Sequence, residues 1–156
     1  MPNWCDNTLE VSHEDPAMVK RLTDAFTAGR LCEEFIPSPT GEWNYDFSVN
    51  NWGTKWDVGG DDGYVDADET SARLSFQSAW APPTGLYPVL EELGFTVRAM
   101  YYEPGMGFAG VYEDGSDNTY DLDGTSDEVK EQIPADLDEA FCITENMAQW
   151  EEENEE

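Results

Sequence analysis

Residues 71–80 read SARLSFQSAW, an alternation that places Ala72, Leu74, Phe76 and Ser78 on one face of an extended segment. Period two over ten residues is the mark of a strand with one buried side. Pro82, Pro83 and Thr84 break it and precede a helix whose stripe is Leu86, Val89, Leu90 and Leu93, stopped by Gly94. Residues 95–103 (FTVRAMYYE) predict a second strand. The turn 103–107 (EPGMG) feeds a third at 108–113, and 118–122 adds an edge strand.

Upstream, residues 3–11 (NWCDNTLEV) read as a half-buried strand with Cys5, Leu9 and Val11 inward. Ser12 with Asp15 resembles an N-cap, Pro16 suits a first turn, and Val19, Leu22, Ala25 and Phe26 recur at helical spacing until Gly29. That predicts a helix over 14–28. Residues 30–50, with Pro37, Ser38, Pro39 and Gly41, form a long connection. Residues 51–58 (NWGTKWDV) predict a short Trp-rich strand, and the turn at 59–63 opens an acidic loop running to Glu69. Helical character returns at 126–132 and 135–150, with Leu137, Phe141 and Met147 as contacts.

The order strand–helix–strand–strand–helix–strand is the split βαβ, or ferredoxin-like, arrangement. The expected class is α+β: an antiparallel sheet with its helices on one face, because each helix has one apolar stripe to bury. A C-terminal hairpin and a helical acidic tail extend it. Residues 1–125 form the domain with its added hairpin, and 126–156 the acidic extension.

Composition narrows function. The 156 residues hold 35 Asp and Glu against 7 Lys and Arg, a formal charge of −28. Such a surface repels phosphate backbones and anionic lipid, which argues against direct binding of nucleic acid or membrane. Six Trp, seven Tyr and seven Phe argue for a folded chain over a disordered acidic one. No apolar run approaches the roughly 18 residues of a membrane span and no signal peptide is evident, so a cytoplasmic setting is expected. Residues 1–98 carry 17 acids and 6 bases, whereas residues 99–156 carry 18 acids and Lys130 alone.

Four strings occur in order: Met1-Pro2-Asn3-Trp4-Cys5-x-Asn7, Asn51-Trp52-Gly53-Thr54-Lys55-Trp56-Asp57, Ala79-Trp80-x-Pro82-Pro83 and Glu103-Pro104-Gly105-Met106-Gly107-Phe108. Together they resemble the YubB-type ferredoxin-like family, small proteins of phages, plasmids and bacterial genomes. The match covers residues 1–110. It implies the fold read from periodicity, a host-cytoplasm location if phage-encoded, and no defined activity. The acidity and the tail depart from it.

Within these strings Trp4, Trp52, Trp56 and Trp80 either pack over one end of the sheet or stack a ligand. Lys55, a lone base between two tryptophans, either pairs with Asp57 or Glu103 or holds an anion. The EPGMGF turn is explained by the glycine requirement of a tight hairpin.

Cys5, Cys32 and Cys142 lack a CxxC pair and read as reduced thiols, mostly buried. With His13 as the single histidine, zinc sites and Ser–His or Cys–His nucleophiles are disfavoured. Asp121-x-Asp123-Gly124 lacks both anchoring carboxylates of a calcium loop. Asp61, Asp62, Asp66, Asp68 and Glu69 offer only adventitious cation binding. No phosphate loop is present, so no cofactor, metal or catalytic residue is assigned, and the chain is expected not to be an enzyme.

Two readings of the charge remain. In one it is salt adaptation: at about 1 M salt the Debye length is near 3 Å and self-repulsion is screened. In the other the protein is a DNA-mimic inhibitor of a basic DNA-binding host defence protein. A radius of gyration near ~15 Å gives a width of roughly 40 Å. Over that length DNA carries roughly 23 charges. The presenting surface would include Asp121, Asp123, Asp127 and Glu128. A third reading is an oligomeric interaction module pairing through an edge strand.

Overall fold

The computed structural model describes residues 4–40, 42, 44–60, 63–104, 107–113 and 115–153. Met1–Asn3, Gly41, Asp61, Asp62, Gly105, Met106 and the end of the tail, all invoked above, lie outside the described residues. The chain is a mixed α+β fold: one antiparallel sheet of six strands, β2-β3-β1-β4-β5-β6, with helices on both sides.

Strand β1 (Trp4–Ser12) leads into α1 (Pro16–Thr27), capped by the Asp15 carboxylate, which accepts from the Ala17 N–H at 3.0 Å. The cap is therefore Asp15 and not Ser12, which belongs to β1. Short helices α2 (Leu31–Phe35) and α3 (Tyr45–Phe47) follow, the latter running into a π-helical turn, Ser48–Trp52.

The Trp-rich strand expected at 51–58 is absent. The Asn44 side chain caps α3, the Asn51 amide donates to the Phe47 carbonyl, and Gly53 closes the turn at φ 86°. Side chains that bond back to their own turn favour coiling over extension. The strand next to β3 is β2 (Tyr64–Ala67), in the stretch expected to be acidic loop. Only Val65 there is an aliphatic branched residue, so its pattern was too short to read.

Strand β3 (Ser71–Ala79) precedes α4 (Leu86–Glu92), then come β4 (Thr96–Glu103), β5 (Phe108–Glu113) and β6 (Ser116–Asp121). The C-terminal segment forms α5 (Ser126–Gln132), α6 (Ala135–Phe141) and α7 (Ile143–Glu153). The single helix expected at 135–150 is thus two. Cys142 breaks it at φ 53°, and Asp138 caps α7 by accepting from the Thr144 N–H at 2.8 Å and its hydroxyl at 2.5 Å.

Alternation along the strands builds two cores. Leu9, Val11, Leu74, Phe76, Val97 and Ala99 face α1 and α4 through Val19, Leu22, Phe26, Leu86 and Leu90. On the other face Met100, Tyr102, Ala109 and Val111 pack against Val129, Ile133, Leu137 and Ile143 of α5–α7. The helices α1 and α4 thus share one face, and the C-terminal helices add a second layer on the other. Residues 99–102 are all buried because β4 is covered on both sides, and a strand buried twice loses its polar alternation.

Two cross-strand rows set the register. Asp66, Arg73, Glu10, Arg98 and Glu113 stand opposite one another in that order across five strands, acid and base alternating. Arg98 also reaches the Asp136 carboxylate of α6. On the other face Phe76, Asn7, Tyr101, Gly110 and Thr119 are aligned. Gly110 is required there: a Cβ would fall 2.3 Å from the Tyr101 ring and hydroxyl and 2.6 Å from the Asn118 carbonyl. Tyr101 cannot yield, since its hydroxyl donates to Asp117 at 2.6 Å and meets the Thr119 hydroxyl at 2.5 Å. Gly110→Ala is expected to destabilise the fold by about 2 kcal/mol or more, as overpacking does. Urea unfolding checks this, and an unchanged midpoint would mean that Tyr101 is not held over Gly110.

Candidate functional site

The described residues of the four strings singled out in the sequence converge on one end of the sheet. Trp4 stands opposite Ala79, and Asp6 opposite Tyr102, which brings the start of β1 beside the ends of β3 and β4. The loop 53–58 crosses the same end. The Thr54 hydroxyl donates to the Ala79 carbonyl at 2.9 Å, and the Gly85 N–H donates to the Trp52 carbonyl at 3.0 Å.

Asn7 anchors the assembly from within. Its amide donates to the Cys5 carbonyl at 3.0 Å and to the Ser78 hydroxyl at 2.9 Å, and Ser78 in turn donates to the Ala81 carbonyl at 2.7 Å. That relay ties β1 to a three-residue turn, in which the Ala81 N–H bonds the Ala79 carbonyl at 2.9 Å and Trp80 takes φ 70°. Positive φ at the centre of a γ-turn is rare, and for a bulky residue costs on the order of 1–3 kcal/mol. The distortion swings the Trp80 indole out of the β3 alternation and over Lys55.

Three tryptophans are thereby presented: Trp4 (42% exposed), Trp56 (37%) and Trp80 (42%). The Trp4 and Trp56 rings lie 6.0 Å apart at 39°, and the Lys55 ammonium sits 4.5 Å from the Trp56 centroid and 4.8 Å from that of Trp80. Each such cation–π contact contributes about 0.5–1 kcal/mol at an exposed site. The result is an amphipathic patch with flat apolar faces and one positive charge.

Trp52 does not belong to it. It is 3% exposed, belongs to the main core, and donates its indole N–H to the Ile36 carbonyl at 2.9 Å. Asp57 is not the partner of Lys55 either. Its carboxylate accepts from the N–H groups of Cys32 (2.7 Å), Glu33 (2.9 Å) and Val58 (2.8 Å), closing the start of α2. Burial holds that carboxyl above the usual range although the three donors pull it down.

The other sequence candidates lie elsewhere. Asp121 ends β6, Asp123 is in the following loop, and Asp127 and Glu128 occupy the first turn of α5, all exposed. Acids suit that turn because the helix N-terminus is the positive end of its dipole. Asp68 accepts from Thr70 and Ser71 in the β2–β3 hairpin and so serves the turn, which lowers its pKa. Among the described residues no group of three His, Cys, Asp or Glu could hold a metal ion. No described helix is long and apolar enough to cross a membrane.

Sequence reading missed the Asn7–Ser78–Ala81 relay and the γ-turn, because neither has a local pattern. The one available signal was Trp80 standing directly before Ala-Pro-Pro.

No family model and no curated protein matches the chain. Among solved structures it is similar to protein api92 from Yersinia pseudotuberculosis, family-model DUF1281, with 26% identity and a TM-score of 0.40. The match covers 49% of this chain and spans only 29% of that protein.

Behind the patch, Cys5 and Cys32 are buried and Cys142 is exposed, all three free. Burial first, with the charge of Glu103 adding to it, pushes the Cys5 thiol up from 9.0 to about 12. A pKa raised in the folded state means that the native protein holds this proton more tightly. The contribution to stability is therefore complete below pH 9.0 and is lost as pH rises toward about 12. Near pH ~8 a thiol reagent is expected to titrate Cys142 alone in the native protein and all three cysteines after denaturation. Rapid native labelling of Cys5 would overturn this account of the patch floor.

Proposed function

We propose that the chain is a non-enzymatic recognition domain of the YubB-type, ferredoxin-like kind, with an exterior adapted to concentrated salt. Its contact surface is the patch of Trp4, Lys55, Trp56 and Trp80. The order β2-β3-β1-β4, with α1 after β1 and α4 after β3, supports the ferredoxin-like reading. A phage- or plasmid-borne origin and a cytoplasmic setting are part of the same proposal.

The distribution of charge carries it. Exposed acids occur in every layer: Asp15 and Asp24 at α1, Asp46 in α3, Asp66 in β2, Glu92 in α4, Glu113 in β5 and Glu139 in α6. Among the described residues Lys20, Arg21, Arg30, Arg73 and Arg98 are in ion pairs. Negative charge that coats all faces favours a solvent role over a single docking surface, and salt screens it within a few ångströms. Exposed aromatics beside a cation are the residue types that anchor partner contacts.

The measurement is the melting temperature from about 0.05 to 3 M KCl, with particle size in parallel. Salt adaptation predicts a rise of about 10 °C or more, since the domain must lose several kcal/mol of self-repulsion. A flat profile would reject it.

A second reading is favoured by the C-terminal surface. From β6 to α7 exposed acids recur at Asp117, Asp121, Asp123, Asp127, Glu128, Glu131 and Asp136, with Lys130 the sole base after residue 98. This is the surface a DNA-mimic inhibitor would offer to a basic DNA-binding protein. Charge reversal at Asp121, Asp123, Asp127 and Glu128 is then expected to abolish binding to such a protein, and unchanged affinity would reject the mimicry.

A further inference from the structure

Opposite the main core, the helices α5–α7 pack on β4 and β5. Over β3 and β1, side chains from both strands line a groove with Ala140 and Phe141 of α6. Its rims are aromatic. Tyr64 of the edge strand β2 is 66% exposed, and Phe141 at the end of α6 packs on Tyr102 with ring centroids 6.0 Å apart. Tyr64, Ser75 and Thr8 stand in one cross-strand row that runs from the first rim across the floor. In the flanking rows Gln77 donates to Asp6 at 3.0 Å and Arg73 lies 3.8 Å from Glu10. Thr8 is 7% exposed, yet its hydroxyl has no hydrogen-bond partner. A buried hydroxyl left unpaired is uncommon, and this one belongs to a residue that lines the groove.

We infer that this groove binds a neutral polyhydroxylated ring, a saccharide, between Tyr64 and Phe141. The floor mixes hydroxyls, an amide, a guanidinium and a carboxylate, so it both donates and accepts, as sugar hydroxyls do. The aromatic rims offer flat apolar faces to the C–H side of such a ring. An anionic ligand is disfavoured: Arg73 faces Glu10 and Asp66 across the strands, and the chain carries −28. A purely apolar ligand would leave the floor groups desolvated without partners. The groove lies on the opposite face of β1 from the Asn7 side chain, and the inference stands independently of the Trp patch.

The test is ligand-observed NMR and calorimetry of the full chain with maltose, cellobiose and N,N′-diacetylchitobiose in turn. At least one is expected to bind with a dissociation constant of about 1–10 mM. Thr8→Val and Tyr64→Ala should each weaken it about tenfold while the far-UV spectrum is kept. Thr8→Val is close to isosteric and removes an unpaired group, so it stays informative if Tyr64→Ala does not fold. Loss of affinity in Thr8→Val supports the assignment. No binding of any of the three sugars at about 50 mM, or binding unaltered in Thr8→Val, overturns it.

Discussion

Everything in this protein hangs on the register of β1. It is hydrogen-bonded to β3 on one side and β4 on the other, and its nine residues face two environments by turns. Cys5, Asn7, Leu9 and Val11 are buried with the main core, while Asp6, Thr8, Glu10 and Ser12 look to the other face. A one-residue slip would expose Leu9 and Val11 and bury Glu10, so the hydrophobic requirement fixes the pairing. Once fixed, it places Asn7 against Ser78, Trp4 against Ala79, and Glu10 between Arg73 and Arg98. Patch, groove and charge row are three consequences of one alignment.

How the scarce bases are spent follows from the same geometry. Exposed ion pairs contribute little individually, about 0–1 kcal/mol. In a chain of −28 their value lies in relieving repulsion where acids are forced together. Glu10 and Glu113 would otherwise face like-charged neighbours across the sheet, and Arg73 and Arg98 separate them. Arg21 and Arg30 converge on Glu34 and lower its pKa. The second layer depends on this as well, since Arg98 joins β4 to α6 through Asp136. That layer is held further by Glu151, which accepts from the Ser126 N–H and hydroxyl and so ties α7 to the start of α5.

What was legible in the sequence was whatever had a period. Strand β3 and helices α1 and α4 have stripes or alternations of seven residues or more, and their positions follow from those alone. The failures have physical causes. The stretch NWGTKWDV looks extended because Trp is common in strands, yet Asn44, Ser48 and Asn51 bond locally and wind it into a turn. Strand β2 has four residues, too few to show alternation, and exists because the edge of β3 offers partners. Residues 135–150 carry one continuous helical pattern, and only the Asp138–Thr144 cap divides it. For the site, residue type named Trp4, Lys55, Trp56 and Trp80, which the fold brings together. It could not separate Trp52, whose indole is turned inward by a carbonyl sixteen positions earlier.

Among the described residues the non-glycine positive φ angles are Trp80 and Cys142, and the buried polar atoms without partners are Asn7 Oδ1, Thr8 Oγ1 and the Tyr87 hydroxyl. Cys142 is accounted for by the α6–α7 joint. Trp80 and Asn7 belong to the patch and its supporting relay, and Thr8 to the groove beneath the opposite face of the same strand. A sequence selected for stability alone would relax each of them, with glycine at 80 or valine at 8. Local strain and unpaired polar groups persist where the surrounding fold holds them in place and where something other than stability is served. Asn7 and Thr8, adjacent on β1 and turned to opposite faces, mark that strand as one on whose two faces function is to be sought.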